Sequence, residues 1–234
     1  MLEFLGVLNI KHNQLSGLPK ELEKMNCLQI LDVSHNNIAS LHHQLKLPDN
    51  LIEANLSYNK LVRLPETIFQ NSRLMRVLDL SFNALERLPE ITANNDWSNH
   101  LSSLESLNMH SNKLETVPPE ILRMRRLCKL NVSKNRLTKL PRESMLSSNF
   151  REIECGENPS LCYPPPEIVN AGRVEVVSYM KGVARFERQR KRAQNSLEHS
   201  VQDQHAGGFI KITEGKDRNH NEMISEHPAV KAYP

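Results

Sequence analysis

Aromatic residues are scarce in this chain, at 5% of 234 residues, whereas hydrophobic residues make up 38%. The chain can therefore bury a core, but that core must be built from aliphatic side chains, leucine above all. The net charge of +3 is small and does not by itself favour nucleic acid or a membrane surface as a partner.

Targeting and membrane features are also missing. The N-terminus lacks the basic start and long apolar segment of a signal peptide, and no run approaches the ~18 apolar residues of a membrane span. The four cysteines (Cys27, Cys128, Cys155, Cys162) are too few and too dispersed to staple a small secreted domain. We therefore expect a reducing, cytoplasmic environment.

Catalytic motifs are absent from the sequence. There is no P-loop, no Gly-rich kinase loop, no H-E-x-x-H and no C-x-x-C. A metal at the adjacent pair His42–His43 would need further ligands, so an exposed pair is the simpler interpretation. We predict a protein that is not an enzyme and has no cofactor, metal or small-molecule substrate.

What the sequence does contain is a repeat, L-x-x-L-x-L-x-x-N-x-L-x-x-L-P. Successive repeats are 23, 23, 24, 29, 23 and 23 residues apart, measured between their asparagines: Asn13, Asn36, Asn59, Asn83, Asn112, Asn135 and Asn158. Seven near-matches in one register are the signature of leucine-rich repeats.

The spacing predicts the fold. Side chains alternate along L-x-L, so each unit offers a short strand with one apolar side that it cannot bury alone. We predict an α/β-type solenoid, a leucine-rich-repeat horseshoe. A parallel sheet of short strands lies on its concave face, the convex side is 3₁₀ or irregular, and a helical cap closes its C-terminal end.

The seven asparagines have a structural task in this prediction. A tight coil leaves backbone N–H and C=O groups buried without ladder partners, and each such group needs a hydrogen bond. A carboxamide offers two donors and an acceptor. We predict that the asparagines form a ladder that satisfies the turns between repeats.

The repeats occupy residues 1–158 in our assignment. The 29-residue step marks an insertion near residues 92–100, which contains Trp97. It is either a binding loop or a tolerated surface loop with Trp97 folded onto the convex side. Residues 159–182 form the cap, where Pro164 to Pro166 end the repeats and one or two amphipathic helices, broken at Gly172, follow.

The two ends of the chain are less regular. The first repeat starts almost at Met1 without a polar cap, so either a partner covers it or the chain is a piece of something longer. Residues 183–234 are a basic and then polar tail that we expect to be disordered. Its cations, from Arg185 to Arg192, suit a solvated helix face or linker, or a nuclear signal or contact to an anionic partner.

Binding is expected on the open side of the sheet. Counting from the first leucine of each repeat, positions two, three, five, seven and eight face outward. Position five carries Asn, Asp or Glu, which is ordinary for the repeat. Tyr58, Phe82 and Arg76 form an aromatic and arginine anchor group, and towards the C-terminal end the face becomes charged, with Lys129, Lys134 and Arg151. Seven strands ~4.8 Å apart span roughly 30 Å, enough for an ordinary interface of ~800 Å² per partner.

The repeat, as it stands at Met75–Pro89 and Leu127–Pro141, resembles the intracellular Ras-group leucine-rich repeats. These include Shoc-type Ras-pathway scaffolds, plant Ras-group proteins, the Scribble/Erbin group and the Roco proteins. The ending Asn158-Pro-x-Leu-x-Tyr-Pro-Pro is similar to the terminal repeat of that class. The resemblance implies a cytoplasmic signalling scaffold, sometimes for small GTPases. Seven repeats are few for the Shoc-type scaffolds, and no GTPase, kinase, PDZ or RING segment is present.

Two functions are compatible with this sequence. The first is a non-enzymatic scaffold or adaptor in intracellular signalling that binds a protein partner, such as a small GTPase or its regulator, on the concave face. The alternative is a recognition fragment of a larger enzyme, either a Roco GTPase-kinase or a ubiquitin ligase.

Overall fold

The structure is a computed structural model, and it describes residues 4–89, 97–141 and 149–206, without the side chains of residues 97–98 and 196–206. The chain divides into two compact units, Met1–Met180 and Lys181–Pro234. The first unit contains all seven repeats.

Seven three-residue strands form one parallel sheet in chain order. Every strand occupies positions three to five of its repeat: β1 Val7–Asn9, β2 Ile30–Asp32, β3 Glu53–Asn55, β4 Val77–Asp79, β5 Ser106–Asn108, β6 Lys129–Asn131 and β7 Glu152–Glu154. Neighbouring strands pair position by position, as Leu31 with Ala54. Equal positions of successive repeats therefore lie side by side, which confirms the predicted leucine-rich-repeat solenoid.

The return arcs contain only short helical segments among the residues described. These are a 3₁₀ helix at Lys20–Lys24 and two α-helices of four and five residues, α1 (Trp97–His100) and α2 (Pro119–Arg123). Proline stands at the N-cap of the 3₁₀ helix and of α2. Pro119 is also the first residue of α2, where its missing N–H costs nothing. The predicted 3₁₀ or irregular convex side is confirmed.

The core is aliphatic and lies between the sheet and the return arcs. The leucine at position four is buried in the inner repeats, as Leu31, Leu78 and Leu130 show. At the C-terminal end, Tyr163 continues the backbone pairing, because Leu140 N donates to its carbonyl over 2.9 Å. The cap then follows as α3 (Pro166–Ala171), with Gly172 (φ 131°) separating it from the next helix.

The last helix corrects one expectation. Residues 183–234 were predicted to be disordered, but α4 extends over Arg173–Ala206. Residues 183–206 contain no glycine and no proline and are rich in Ala, Arg, Gln and Glu, so helix propensity is high even though the apolar periodicity is weak. Residues 207–234 lie outside the described residues. Within the described ranges, no helix is long and apolar enough to cross a membrane.

Candidate partner-binding face

The turn after each strand is held by position five. In the first six repeats its side-chain oxygen accepts the backbone N–H of position seven over 2.8–3.3 Å. Where position seven is serine, the hydroxyl also donates to that oxygen, as from Ser81 to Asp79 over 2.6 Å. The polar row at position five is therefore used largely by the fold itself.

Position eight follows in the left-handed conformation. Its φ lies between 52° and 56° in all seven repeats, although none of these residues is glycine. Such a conformation costs a non-glycine residue roughly 1–2 kcal/mol. In every repeat the next residue, the asparagine, donates to the carbonyls of positions six and seven and so fixes the backbone just before this turn residue.

The asparagine row is the strongest polar feature of the buried side. Asn59 donates to Leu56 O and Ser57 O of its own repeat and to Val33 O of the preceding repeat, at 3.0–3.2 Å. Its carbonyl oxygen accepts Ile38 N over 3.0 Å. Six asparagines bridge to the preceding repeat in this way: Asn36, Asn59, Asn83, Asn112, Asn135 and Asn158. Asn13 is exposed and donates to Ile10 O and Lys11 O of its own repeat.

A row of stacked rings stands on the open side at position eight. We call His12, His35, Tyr58 and Phe82 the ring row. Their centroids are 4.2, 4.2 and 4.1 Å apart, and the planes are tilted by at most 19°. His110, at position seven of the fifth repeat, closes the row edge-on to Phe82 at 5.0 Å. Tyr58 remains 44% exposed and Phe82 37%.

An aliphatic row runs beside the ring row at position three. Val7, Ile30 and Val77 are 55%, 38% and 39% exposed, with Glu53 between the last two. Both rows belong to the first four repeats. This half of the face therefore presents large apolar side chains that are already ordered by their neighbours.

The other half of the face is ionic. Lys129 Nζ lies 3.7 Å from Glu152, Lys134 Nζ lies 3.6 Å from Glu157, and Arg173 of α4 also reaches Glu152, at 3.3 Å. Arg76 pairs with Glu105 over 2.8 Å. These pairs are exposed, so each contributes little to stability, but they decide which charges a partner meets.

The predicted site residues are thus divided between two groups. Tyr58 and Phe82 are stacked on each other, whereas Arg76 is engaged with Glu105. Lys129 and Lys134 have carboxylate partners, and Arg151 is exposed. Trp97 begins α1, but its side chain lies outside the described residues, as do residues 92–96 of the predicted insertion.

Several contributors to this face were not among the predicted site residues. His12 and His35 belong to the ring row, and Glu105, Glu152 and Arg173 complete the ionic half. The strand spacing was the available signal for the rings, since equal positions of adjacent repeats must be neighbours. Nothing in the repeat pattern points to Arg173, because it comes from the cap.

The cysteines differ in exposure. Cys155 occupies the core position six of the last repeat and is 1% exposed. Burial, with a smaller effect from the nearby Glu154 carboxylate, raises the pKa of Cys155 to about 12. A neutral thiol packs as a small apolar group. Cys27 and Cys162 are exposed and, like Cys128 and Cys155, are free thiols.

A shallow depression lies over β5, β6 and β7, with a volume of about 220 Å³. Its charged lining residues are Lys129, Glu152, Glu154 and Arg173, and Ser106, Asn108 and Asn131 add neutral polar groups. This part of the sheet face therefore offers a partner a polar recess instead of an apolar surface.

Comparison with known proteins places the fold. A family model described as Leucine Rich Repeat matches residues 103–124. A leucine-rich-repeat protein of Leptospira interrogans is 30% identical with a TM-score of 0.51, and the match covers 64% of this chain and 39% of that one. A plant peptide hormone receptor, RGFR1 in complex with RGF2, is 26% identical with a TM-score of 0.54, over 67% of this chain and 25% of that one.

A third structure, PEPR1–AtPEP1, shares the fold at 23% identity and a TM-score of 0.52, over 64% of this chain and 21% of that one. No curated protein matches the sequence. The chain spans 39% or less of the length of these three solved structures. The seven-stranded solenoid and these matches show a leucine-rich-repeat fold.

Proposed function

We propose that the chain is a non-enzymatic interaction scaffold that binds a protein partner on the open face of its sheet. The observation that carries this proposal is the ring row, which leaves Tyr58 and Phe82 exposed at 44% and 37% on an ordered surface. Exposed aromatic side chains are the residues that most often dominate binding energy. Rings already held by stacking lose little conformational freedom when a partner covers them.

The proposal includes the polarity of the partner. Apolar rows in repeats one to four adjoin paired charges in repeats five to seven, so the partner presents an apolar part beside a charged part. The plant receptor that resembles this chain is described in complex with RGF2, which supports recognition of a peptide or protein.

The cellular setting is also part of the proposal. The 23-residue repeat resembles the Ras-group class, and four free cysteines, two of them exposed, suit a reducing compartment. We place the chain in the cytoplasm as a signalling adaptor, with a small GTPase or its regulator as the partner.

Quantitative affinity capture from cell lysate tests the proposal. The wild-type chain is compared with the double variant Tyr58→Ala/Phe82→Ala and with Phe186→Ala, a control that truncates a similarly exposed aromatic on α4. We expect specific proteins to be captured by the wild type and the control and lost with the double variant. Circular dichroism first establishes that all three fold. Equal capture by all three proteins contradicts binding on this face.

A further inference from the structure

The last repeat departs from the rule that governs position five. Glu154 stands where the other repeats have Asn or Asp, and Gly156 stands at position seven. The turn hydrogen bond that the first six repeats share is not formed by Glu154. Instead one oxygen of the carboxylate accepts Asn131 Nδ2 over 3.1 Å. The Glu154 carboxylate is therefore free of the structural task that occupies its counterparts.

The charges around Glu154 are unevenly satisfied. Its neighbour Glu152 has two cations, Lys129 at 3.7 Å and Arg173 at 3.3 Å. Among the residues that the structure describes, no cation lies within ion-pair distance of Glu154. The negative charge of Glu154 is therefore not offset by a neighbouring cation, and a cationic group of a partner can pair with it.

The depression bounded by Glu154 offers room for such a group. Its volume is about 220 Å³, and it is open on the side from which a partner would approach. Lys129 and Arg173 also line it, but both are paired with Glu152, and Ser106, Asn108 and Asn131 add neutral polar groups. The Asn108 and Asn131 oxygens already accept the turn hydrogen bond, so the Glu154 carboxylate is the acceptor that remains for a guanidinium or an ammonium group.

We infer that this depression receives a lysine or arginine side chain of the partner, with Glu154 as its counter-ion. The inference rests on the proposed function, because it requires a partner segment on the sheet face. The inference also predicts a spacing between two residues of the partner segment. Phe82 in the fourth repeat and Glu154 in the seventh are three strand intervals of ~4.8 Å apart across the sheet. They are also offset by about three residues along the strand direction. An extended segment of about five residues, at ~3.3 Å each, covers that diagonal.

The partner motif is therefore an apolar residue on the ring row and a basic residue about five positions away. Selection of random peptides displayed on phage against the full chain tests it. We expect wild-type selections to enrich Lys or Arg at that distance from an aromatic or aliphatic residue. Selection on Glu154→Lys should replace the basic residue by Asp or Glu, and selection on Phe82→Ala should lose the apolar residue.

A second measurement avoids the charge reversal. For one selected peptide, Glu154→Gln should weaken binding roughly tenfold and flatten its dependence on salt. The control Glu120→Gln removes the same charge from α2 and should change neither. Replacing the basic residue of the peptide by Gln should abolish the difference between wild type and Glu154→Gln.

The outcomes separate the two proposals. Peptides that need Phe82 but show no basic preference overturn the role of Glu154 and leave the proposed function standing. An unchanged basic preference on Glu154→Lys also overturns it. If the wild type enriches no peptide, recognition of an extended segment fails, and the inference fails with it.

Discussion

Positions eight and nine of each repeat are neighbours in the chain but lie in opposite environments. Position nine is asparagine throughout, buried in most repeats and bonded to two repeats at once, as Asn59 shows. Position eight has the same left-handed backbone everywhere but carries His, Tyr, Phe, Ser, Lys or Glu. Position nine supplies hydrogen bonds that the backbone needs in every repeat, whereas the side chain at position eight can vary and can contact a partner. This fold therefore separates stability from specificity residue by residue.

The largest expected difference between a buried and an exposed position concerns the reactivity of the cysteine thiols. Burial raises the pKa of Cys155 from 9.0 to about 12, so its thiolate fraction near pH 8 is about a thousandfold lower than that of a thiol with the ordinary pKa. Under iodoacetamide at pH 8, we expect Cys27 to be alkylated and Cys155 to stay unmodified until the protein is unfolded. Mass spectrometry of the peptides measures both. Comparable labelling of Cys155 and Cys27 in the folded protein contradicts the described burial.

Removing one buried asparagine tests the structural side directly. Asn59→Ala deletes the donors to three carbonyls and the acceptor of Ile38 N. Each carbonyl keeps a second donor, but Ile38 N loses its acceptor. One buried N–H left unsatisfied costs about 1–3 kcal/mol, and the lost hydrogen bonds add to it, so we expect the free energy of unfolding to fall by roughly 3 kcal/mol. Urea denaturation followed by circular dichroism measures it.

Asn13→Ala is the matched control for that experiment. Asn13 is exposed and bonds to its own repeat alone among the described contacts, so its loss should cost about 1 kcal/mol or less. Equal losses for Asn13→Ala and Asn59→Ala would show that the bonds between repeats contribute little.

Truncation of a ring on the open side should lower partner affinity much more than it lowers the free energy of unfolding. Phe82→Ala removes a ring that is partly covered by Tyr58 and His110. We expect a loss of partner affinity of tenfold or more with a change in unfolding free energy near ~1 kcal/mol. Calorimetric titration with a captured partner, alongside urea denaturation, separates the two. A large loss of stability with unchanged affinity would show that the ring row stabilises the fold and does not bind the partner.

The smallest effect is expected where position eight has no ring. Ser111 has φ 52°, and asparagine tolerates this region better than serine does. Ser111→Asn should therefore stabilise the fold by about 0.5 kcal/mol, measurable as a small rise in the urea midpoint. A decrease indicates that the serine hydroxyl has a role that the backbone geometry does not reveal.

The repeat period was sufficient to predict the order and register of the strands. The strand residues follow the spacing of the asparagines, so Leu31 lies beside Ala54 across a 23-residue step and Leu78 beside Leu107 across the 29-residue step. The stacking of His12, His35, Tyr58 and Phe82 was harder to foresee, because it depends on a left-handed turn that directs adjacent side chains along the same line.

The ion pairs could not be predicted from the repeat pattern for another reason. Arg173 reaches Glu152 from α4, and the position of a cap relative to the sheet is not encoded in the period of the repeats. The helix over residues 183–206 was missed because its sequence has helix formers without an apolar stripe. The unusual environment of Glu154 became visible only when its hydrogen bond to Asn131 could be compared with the turns of the other repeats.

The direction of the asparagine bonds has a consequence for synthesis on the ribosome. Each bridging amide belongs to the later repeat and completes the earlier one, as Asn36 does for Ile10 O and Leu15 N. A repeat that has just emerged therefore waits for one further repeat before its own turn is closed. We expect the nascent solenoid to stay one repeat behind the growing chain, until Asn158 closes the sixth repeat.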